Sequence, residues 1–136
     1  MIYDLKTQNL LKRIILPYPW VYALEFSPDG NILAVICKFY IIIYKLPDFM
    51  EVMRFQGSCG DDDKQTLAFS PNGDYLAVGC KQKILVFDVD NKFNEIKNIN
   101  FSQESVLSVK YSPDGTTLSC GGEDKYINLY DAKNNY

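Results

Sequence analysis

The chain has 136 residues, which is enough for one domain with a buried core. Hydrophobic residues make up 47% of the sequence and charged residues 23%, a globular composition that excludes an intrinsically disordered chain. The 14 basic residues are scattered among 17 acidic ones and the formal net charge is −3, so we expect neither nucleic acid nor an anionic membrane surface as a partner.

We expect no secretory leader at the N-terminus, because residues 1–12 are polar and lack an apolar core. Its segment Ile2-Tyr3-Asp4 is similar to Leu129-Tyr130-Asp131 near the other end, with an aliphatic residue followed by Tyr and Asp in both. We therefore expect residues 1–7 to be the tail of a preceding structural unit.

Three turns of one type divide the chain at a regular period. Each has the pattern Ser-Pro-Asp/Asn-Gly, which favours a type I β-turn between two strands. Their serines lie 43 and then 42 residues apart, at Ser27, Ser70 and Ser112. The spacing predicts three units that are built alike.

Each unit is predicted to contain four antiparallel strands. The strands after the turn, such as Ile32–Cys37 and Tyr40–Tyr44, are apolar on both faces and should be covered on both sides. Because Lys38 interrupts this apolar run, we interpret it as two strands and not as a membrane span. The segment that leads into each unit mixes apolar and charged residues, as an outer strand does. For residues 91–99 a short helix is the alternative, since Phe93, Ile96 and Ile99 are three apart.

With these features the sequence resembles the WD-repeat family, whose four-stranded units form the blades of β-propellers. The third unit is the most similar, from Ser105-Val106-Leu107 through Tyr111-Ser112-Pro113-Asp114-Gly115 to Leu129-Tyr130-Asp131. The resemblance implies an all-β fold in which residues 1–136 form an incomplete propeller of three four-stranded antiparallel repeats, approximately 8–46, 49–89 and 93–132. The chain departs from the family pattern in having Tyr44, Phe87 and Tyr130 in place of tryptophan and no histidine at all. The family's buried His–Asp–Ser/Thr–Trp hydrogen-bond network cannot form.

Three blades are fewer than the four to eight with which propellers close. Two apolar blade faces should remain exposed, which a monomer in water tolerates poorly. We therefore expect further blades to cover them, from the same or another chain.

The residue inventory argues against catalysis. The absence of histidine excludes Ser–His and Cys–His nucleophile systems, and we expect no enzyme activity. The run Asp61-Asp62-Asp63 is interpreted as a solvated loop and not as a metal site, and Gly57-Ser58-Cys59-Gly60 lacks the ending of a phosphate loop. No metal or cofactor is expected. The four cysteines have no CxxC spacing and are predicted to be reduced thiols of a cytoplasmic protein, at Cys37, Cys59, Cys80 and Cys120.

The resemblance implies a binding rim where the loops before the first strand and between the second and third strands meet. Transferred by position, the rim residues are Trp20, Tyr22, Asp63, Gln65, Ser105, Leu107 and Glu123. Trp20 has two interpretations, as a binding anchor or as a side chain packed between blades.

The predicted function is a non-catalytic protein-interaction scaffold in a multi-protein assembly. A cytoskeletal or ciliary setting is one suggestion, since many WD-repeat proteins occur there. Two alternatives stay open: a phosphoinositide-binding propeller, which would need paired arginines where only Arg54 is near, and a substrate receptor or regulatory subunit of an enzyme complex.

Overall fold

The computed structural model describes residues 2–4, 6–38, 40–56 and 66–134, and all regular secondary structure in these ranges is β. The strands are β1 (Ile2–Tyr3), β2 (Leu10–Lys12), β3 (Val21–Phe26), β4 (Ile32–Cys37), β5 (Tyr40–Lys45), β6 (Met50–Gln56), β7 (Thr66–Phe69), β8 (Tyr75–Gly79), β9 (Lys81–Asp88), β10 (Asn94–Tyr111), β11 (Thr117–Gly122) and β12 (Ile127–Asp131). The predicted all-β fold is confirmed. Within the described ranges no helix is long and apolar enough to cross a membrane.

The strands form antiparallel sheets that follow the order of the chain. Strands β3 to β6 make one four-stranded sheet, which we name blade 1. Blade 2 consists of β7, β8, β9 and the first part of β10, up to Ser105. Blade 3 consists of β10 from Val106 onward together with β11 and β12.

The helix alternative for residues 91–99 is wrong. Asn94, Lys97 and Ile99 pair with β9 as part of the long strand β10. The pairing of β10 with β9 shifts its register between Glu95 and Lys97. This bulge inserts one extra residue into the two-residue repeat of a strand, so apolar side chains there are spaced by three.

Each blade is offset from the sequence repeat by one strand. The polar strand that begins a sequence repeat pairs with the last strand of the preceding one: β6 with β5, and the first part of β10 with β9. β1 and β2 pair in the same way at the N-terminus. The outer edge of a blade therefore belongs, in sequence, to the next repeat.

The three predicted turns have one geometry. In each, the glycine N–H donates to the serine carbonyl over 2.9 Å, and the glycine φ lies between 70° and 84°. The serine Oγ accepts from the backbone N–H five residues further on, at 2.9 to 3.0 Å. The turns of neighbouring blades also lie against each other, since a Cβ on Gly73 would be 3.8 Å from Pro28 and one on Gly115 would be 3.6 Å from Pro71.

Apolar side chains fill the spaces between blades. Ile41 and Ile43 of blade 1 pack on Leu67, Phe69 and other residues of blade 2. A second core joins blades 2 and 3 and includes Ala68, Ala77, Ile84, Val106, Val109, Leu118 and Cys120. The other face of blade 1 is partly covered by the segment before β3, through Ile14, Leu16 and Tyr18.

The inner strands of blades 1 and 3 converge. Lys110 Nζ of blade 3 lies 3.5 Å from Glu25 Oε2 of blade 1, although blade 2 separates the two sheets in sequence. The blades are therefore arranged around a common axis, as in a propeller.

The cysteine prediction holds only in part. Cys37 and Cys120 are buried free thiols, but Cys80 is disulfide-bonded. The expectation of reduced cysteines is therefore wrong for Cys80. The spacing of cysteines in the sequence reveals only those that are close in the chain, whereas a disulfide depends on which cysteines the fold brings together. Cys59 lies outside the described residues.

Candidate interaction rim

Two kinds of loop meet at one end of the blades. In blade 3, the N–H of Glu123, from the loop between β11 and β12, donates to the Ser105 carbonyl over 3.3 Å. Between blades 2 and 3, the N–H of Val106 donates to the Cys80 carbonyl over 3.1 Å. We name the surface formed by residues 17–20, 38, 80–82, 103–105 and 122–125 the rim. Backbone hydrogen bonds fix the rim loops of blades 2 and 3 to each other.

Trp20 lies on the rim with 55% of its surface exposed. The Lys38 ammonium nitrogen is 5.2 Å from the centre of the indole ring, a cation–π arrangement. Trp20 is therefore a surface side chain among the described residues, and both of its interpretations, as a binding anchor and as a side chain packed between blades, stay predictions.

The other predicted rim residues have different environments. Tyr22 packs partly against the core between blades 1 and 2, and Ser105 is only 7% exposed. Glu123 is exposed and in contact with Ser105 through the backbone, so these two are brought together. Leu107 is 48% exposed, at the irregular step of β10 between Val106 and Ser108. Asp63 and Gln65 lie outside the described residues.

Sequence reasoning missed three polar residues of the rim. Lys38 contacts Trp20, and Gln82 donates from Nε2 to the Gln103 carbonyl over 3.0 Å. Lys38 could have been found, because a charged residue in the middle of a long apolar run marks the point where the chain reaches solvent. The two glutamines gave no such signal.

Arg54 forms the second cationic feature of blade 1. Its guanidinium donates to both carboxylate oxygens of Glu51, at 2.9 and 2.8 Å, and this hydrogen bonding raises the pKa of Arg54. The guanidinium also lies 5.9 Å from the Tyr40 ring, which stacks on Tyr18 at 5.3 Å. The positive charge of Arg54 is thus paired with an acid of the same strand.

Aspartates cap the turns that follow the third strands. The Asp131 carboxylate accepts from the N–H groups of Lys133 and Asn134 at 3.0 and 3.2 Å, and the Asn134 side chain lowers the pKa of Asp131. Asp88 accepts from Asn91 N–H at 3.0 Å. These carboxylates are therefore engaged in local structure.

The described residues show no arrangement for metal chemistry, since no three Cys, Asp or Glu side chains among them cluster as a metal site would require. An open groove of about 670 Å³ lies between blades 1 and 2 at their outer edge. Its lining is mainly aromatic and amide, including Phe55, Phe87 and Phe93. Such a groove can hold an apolar group, and Lys92 and Glu95 line it beside the aromatic rings.

Comparison with known proteins identifies the class. The family model "WD domain, G-beta repeat" matches residues 51–88 and 94–131, which is more than half of the chain. The protein belongs to the WD-repeat family, as the sequence predicted. Proteins of this family generally act as interaction scaffolds, and the fold is typically non-catalytic.

Solved structures agree on the fold. "Structure of U3-55K" and "Crystal structure of RRP9 WD40 repeats" each superpose with a TM-score of 0.77 over 85% of this chain, at 16% sequence identity. The chain spans 37% and 36% of the lengths of those two proteins. A sequence search of curated proteins finds no match.

Proposed function

We propose that this chain is a non-catalytic scaffold that binds partner proteins through the rim. The observation that carries the proposal is the half-exposed Trp20 held beside Lys38. Large aromatic side chains dominate binding hot spots, and an aromatic ring next to a cation suits a partner that offers both apolar and acidic groups.

The energy available at Trp20 is sufficient for an anchor. A tryptophan buries up to about 250 Å², so covering the exposed half of this side chain at about 25 cal/mol per Å² would contribute about 3 kcal/mol. Losing that contribution would weaken binding by roughly 100-fold. The backbone hydrogen bonds from Val106 to Cys80 and from Glu123 to Ser105 hold the rim loops of blades 2 and 3 in place before binding, which lowers the entropic cost of association.

The test is affinity purification from the native source with the wild type and Trp20→Ala as baits. We expect Trp20→Ala to lose partners while its melting temperature stays within a few degrees of the wild type, because the side chain is mostly solvated. Val52→Ala is the matched control: Val52 is 51% exposed on β6, away from the rim, and its replacement should keep every partner. Undiminished recovery by a folded Trp20→Ala bait would refute the rim as the binding surface.

The phosphoinositide alternative has less support. It requires free cationic side chains, whereas Arg54 is bound to Glu51. Sedimentation with vesicles that contain a phosphoinositide should leave the chain in the supernatant. Sedimentation that Arg54→Ala abolishes would favour the alternative.

The substrate-receptor alternative is decided by the same purification, because it predicts that catalytic subunits of an enzyme complex are recovered with the wild-type bait. A cytoskeletal or ciliary setting has no support among the described contacts or the comparisons. Recovery of filament proteins with the wild-type bait would be required to restore it.

The proposal also covers where in the cell the protein is located and whether it binds nucleic acid. We infer a cytoplasmic protein from the free thiols of Cys37 and Cys120, against which the disulfide at Cys80 counts, and we infer that it lacks nucleic-acid affinity from the net charge of −3. Cell fractionation tests the location. A gel-shift assay with single-stranded RNA at low salt tests the second statement, and a shift that persists at physiological salt would contradict it.

A further inference from the structure

The three turns with the Ser-Pro-Asp/Asn-Gly pattern differ in the chemistry of one side chain. Their third residues are Asp29, Asn72 and Asp114, and Asn72 is the only asparagine of the sequence that a glycine follows. In an Asn-Gly pair the backbone nitrogen of the glycine can attack the side-chain amide carbon, because glycine has no Cβ to hinder the approach. Blade 2 therefore carries a reactive pair at the position where the other two turns carry a carboxylate.

The carboxylates of the other two turns are poor electrophiles. A serine hydroxyl donates to Oδ1 of each, and this hydrogen bond is the main cause that lowers the pKa of Asp29 and that of Asp114, the latter to about 2. Both side chains are therefore ionised at neutral pH, and their negative charge opposes attack by a nucleophile. The Asn72 amide is neutral, so it is the reactive member of the three.

The folded turn of blade 2 holds both reacting groups in hydrogen bonds. Asn72 Oδ1 accepts from Ser70 Oγ at 2.7 Å and from Asp74 N–H at 3.2 Å, and Asn72 Nδ2 donates to Asp74 Oδ2 at 2.6 Å. The N–H of Gly73 donates to the Ser70 carbonyl over 2.9 Å. Ring closure requires the Gly73 nitrogen to lose this proton and to turn toward the Asn72 side chain. The turn must therefore open locally before the two groups can react.

We propose that Asn72 is a deamidation site that the folded turn of blade 2 protects. When the turn opens, the Gly73 nitrogen forms a bond to Asn72 Cγ, and the side-chain nitrogen leaves as ammonia with the proton that Gly73 gives up. A five-membered succinimide remains. Water then adds to one of the two ring carbonyls and breaks its bond to nitrogen. The product is aspartate when the side-chain carbonyl reacts and isoaspartate when the backbone carbonyl reacts.

Aspartate at position 72 would face a second carboxylate. In blades 1 and 3 the residue two positions after the turn carboxylate is Asn31 or Thr116, and each donates to that carboxylate. The equivalent residue in blade 2 is Asp74, whose Oδ2 accepts from the Asn72 amide. After deamidation two carboxylates would share the place of this hydrogen bond. The modified turn is therefore destabilised by repulsion between like charges.

Isoaspartate would disturb the contact between blades 1 and 2. It adds one methylene group to the main chain, which moves the Gly73 N–H away from the Ser70 carbonyl. A Cβ on Gly73 would lie 3.8 Å from Pro28, so this glycine sits where the turns of the two blades meet. Because ammonia has left, neither product returns to asparagine, and the loosening of the turn is permanent. The proposal does not depend on partner binding at the rim.

The first experiment compares the folded and the unfolded chain. Both are incubated at pH 8, the second in guanidinium chloride, and tryptic peptides are analysed by mass spectrometry. We expect Asn72 to deamidate in the unfolded chain and to react at least roughly 10-fold more slowly in the folded one, because the reaction requires the open turn. Ser70→Ala frees the Asn72 amide and weakens the turn, so it should raise the rate in the folded chain roughly 10-fold.

An internal control is Asn31, which also lies in a turn but is followed by isoleucine. It should stay intact over the same period in both samples. Equal rates at Asn72 in the folded and unfolded chains, or an unchanged rate in Ser70→Ala, would overturn the protection by the turn. An intact Asn72 in guanidinium chloride would overturn the site itself.

The second experiment tests the consequence with Asn72→Asp, which reproduces the aspartate product. Circular dichroism should show a folded chain that melts below the wild type at pH 7. The difference should disappear below about pH 4, where the two carboxylates are no longer both ionised. Adding Asp74→Asn gives the turn the Asp-Gly-Asn order of blade 1 and should restore the melting temperature at pH 7. A wild-type melting temperature for Asn72→Asp, or a loss that Asp74→Asn does not restore, would overturn the argument from like charges.

Discussion

Replacing the turn serine of blade 2 with alanine should destabilise the protein measurably. The Ser70 side chain makes two hydrogen bonds: Oγ donates to Asn72 Oδ1 at 2.7 Å and accepts from Tyr75 N–H at 2.9 Å. Ser70 is 3% exposed, so water cannot easily take its place. Ser70→Ala removes both bonds and leaves a backbone donor without its acceptor.

The magnitude follows from these two bonds. A net contribution of about 1 kcal/mol each gives a loss of about 2 kcal/mol, with the unsatisfied N–H of Tyr75 included. For a chain of this length that corresponds to a fall of roughly 6–10 °C in melting temperature. Urea unfolding followed by tryptophan fluorescence and circular dichroism measures the free energy, since Trp20 is the chain's one tryptophan.

The repeats supply internal controls. Ser112 makes equivalent bonds, at 2.6 Å to Asp114 and 3.0 Å from Thr117 N–H, but it is less buried, so Ser112→Ala should cost only about 1 kcal/mol. Ser102 accepts a local bond from Glu104 N–H in the irregular part of β10 between Asn100 and Ser105, and Ser102→Ala should change the stability by less than about 0.5 kcal/mol. Equal effects at all three sites would refute the argument that burial sets the cost.

Three further predictions follow from packing, charge and thiols. Gly79→Ala should lower the free energy of unfolding by about 1–3 kcal/mol, as measured by urea titration, because the new Cβ would lie 2.7 Å from Val106 Cγ1 in the core between blades 2 and 3. Adding Val106→Ala to the same chain should restore part of that stability. The pKa of Asp114 is lowered to about 2, mainly by the hydrogen bond from the Ser112 hydroxyl. The ionised Asp114 carboxylate therefore contributes stability above about pH 4, and this contribution is lost as the pH falls toward 2. Asp114→Asn should flatten the acid limb of a plot of melting temperature against pH, and an unchanged limb would contradict this. Burial raises the pKa of the Cys120 thiol to about 11 and also raises that of Cys37, so a thiol reagent at pH 8 should label both only after unfolding, as peptide mass mapping can show.

Local chemistry made the strands and turns predictable. The pattern of Ser27 to Gly30 specifies its own hydrogen bonds within a few residues, and the runs Ile32–Cys37 and Tyr40–Tyr44 coincide with β4 and β5 to within one residue. The strand pairing across repeats was harder to predict. β6 pairs with β5 of the preceding repeat and not with a strand of its own repeat. The periodicity of Met50–Phe55 predicts a strand but does not reveal which strand will be its neighbour.

The site was less predictable because it consists of contacts between distant segments. Trp20 and Lys38 meet only when β3 and β4 pair, and Ser105 meets Glu123 only when β10 pairs with β11. Local patterning predicts that each of these residues is near a strand end, but not which loop lies opposite.

The missing histidine network raises the question of what fixes each blade, and the turns supply an answer. Asp124 accepts only a local bond among those described, from Tyr126 N–H at 3.1 Å, so it does not link strands as the family's aspartate does. The turn serines instead bridge the first and second strands of every blade, and Pro28 and Pro71 place each turn against the next. The turns thus hold neighbouring blades together at the edge opposite the rim. Exposed side chains of the rim, such as Trp20 and Glu123, are therefore free to change binding without disturbing these turns.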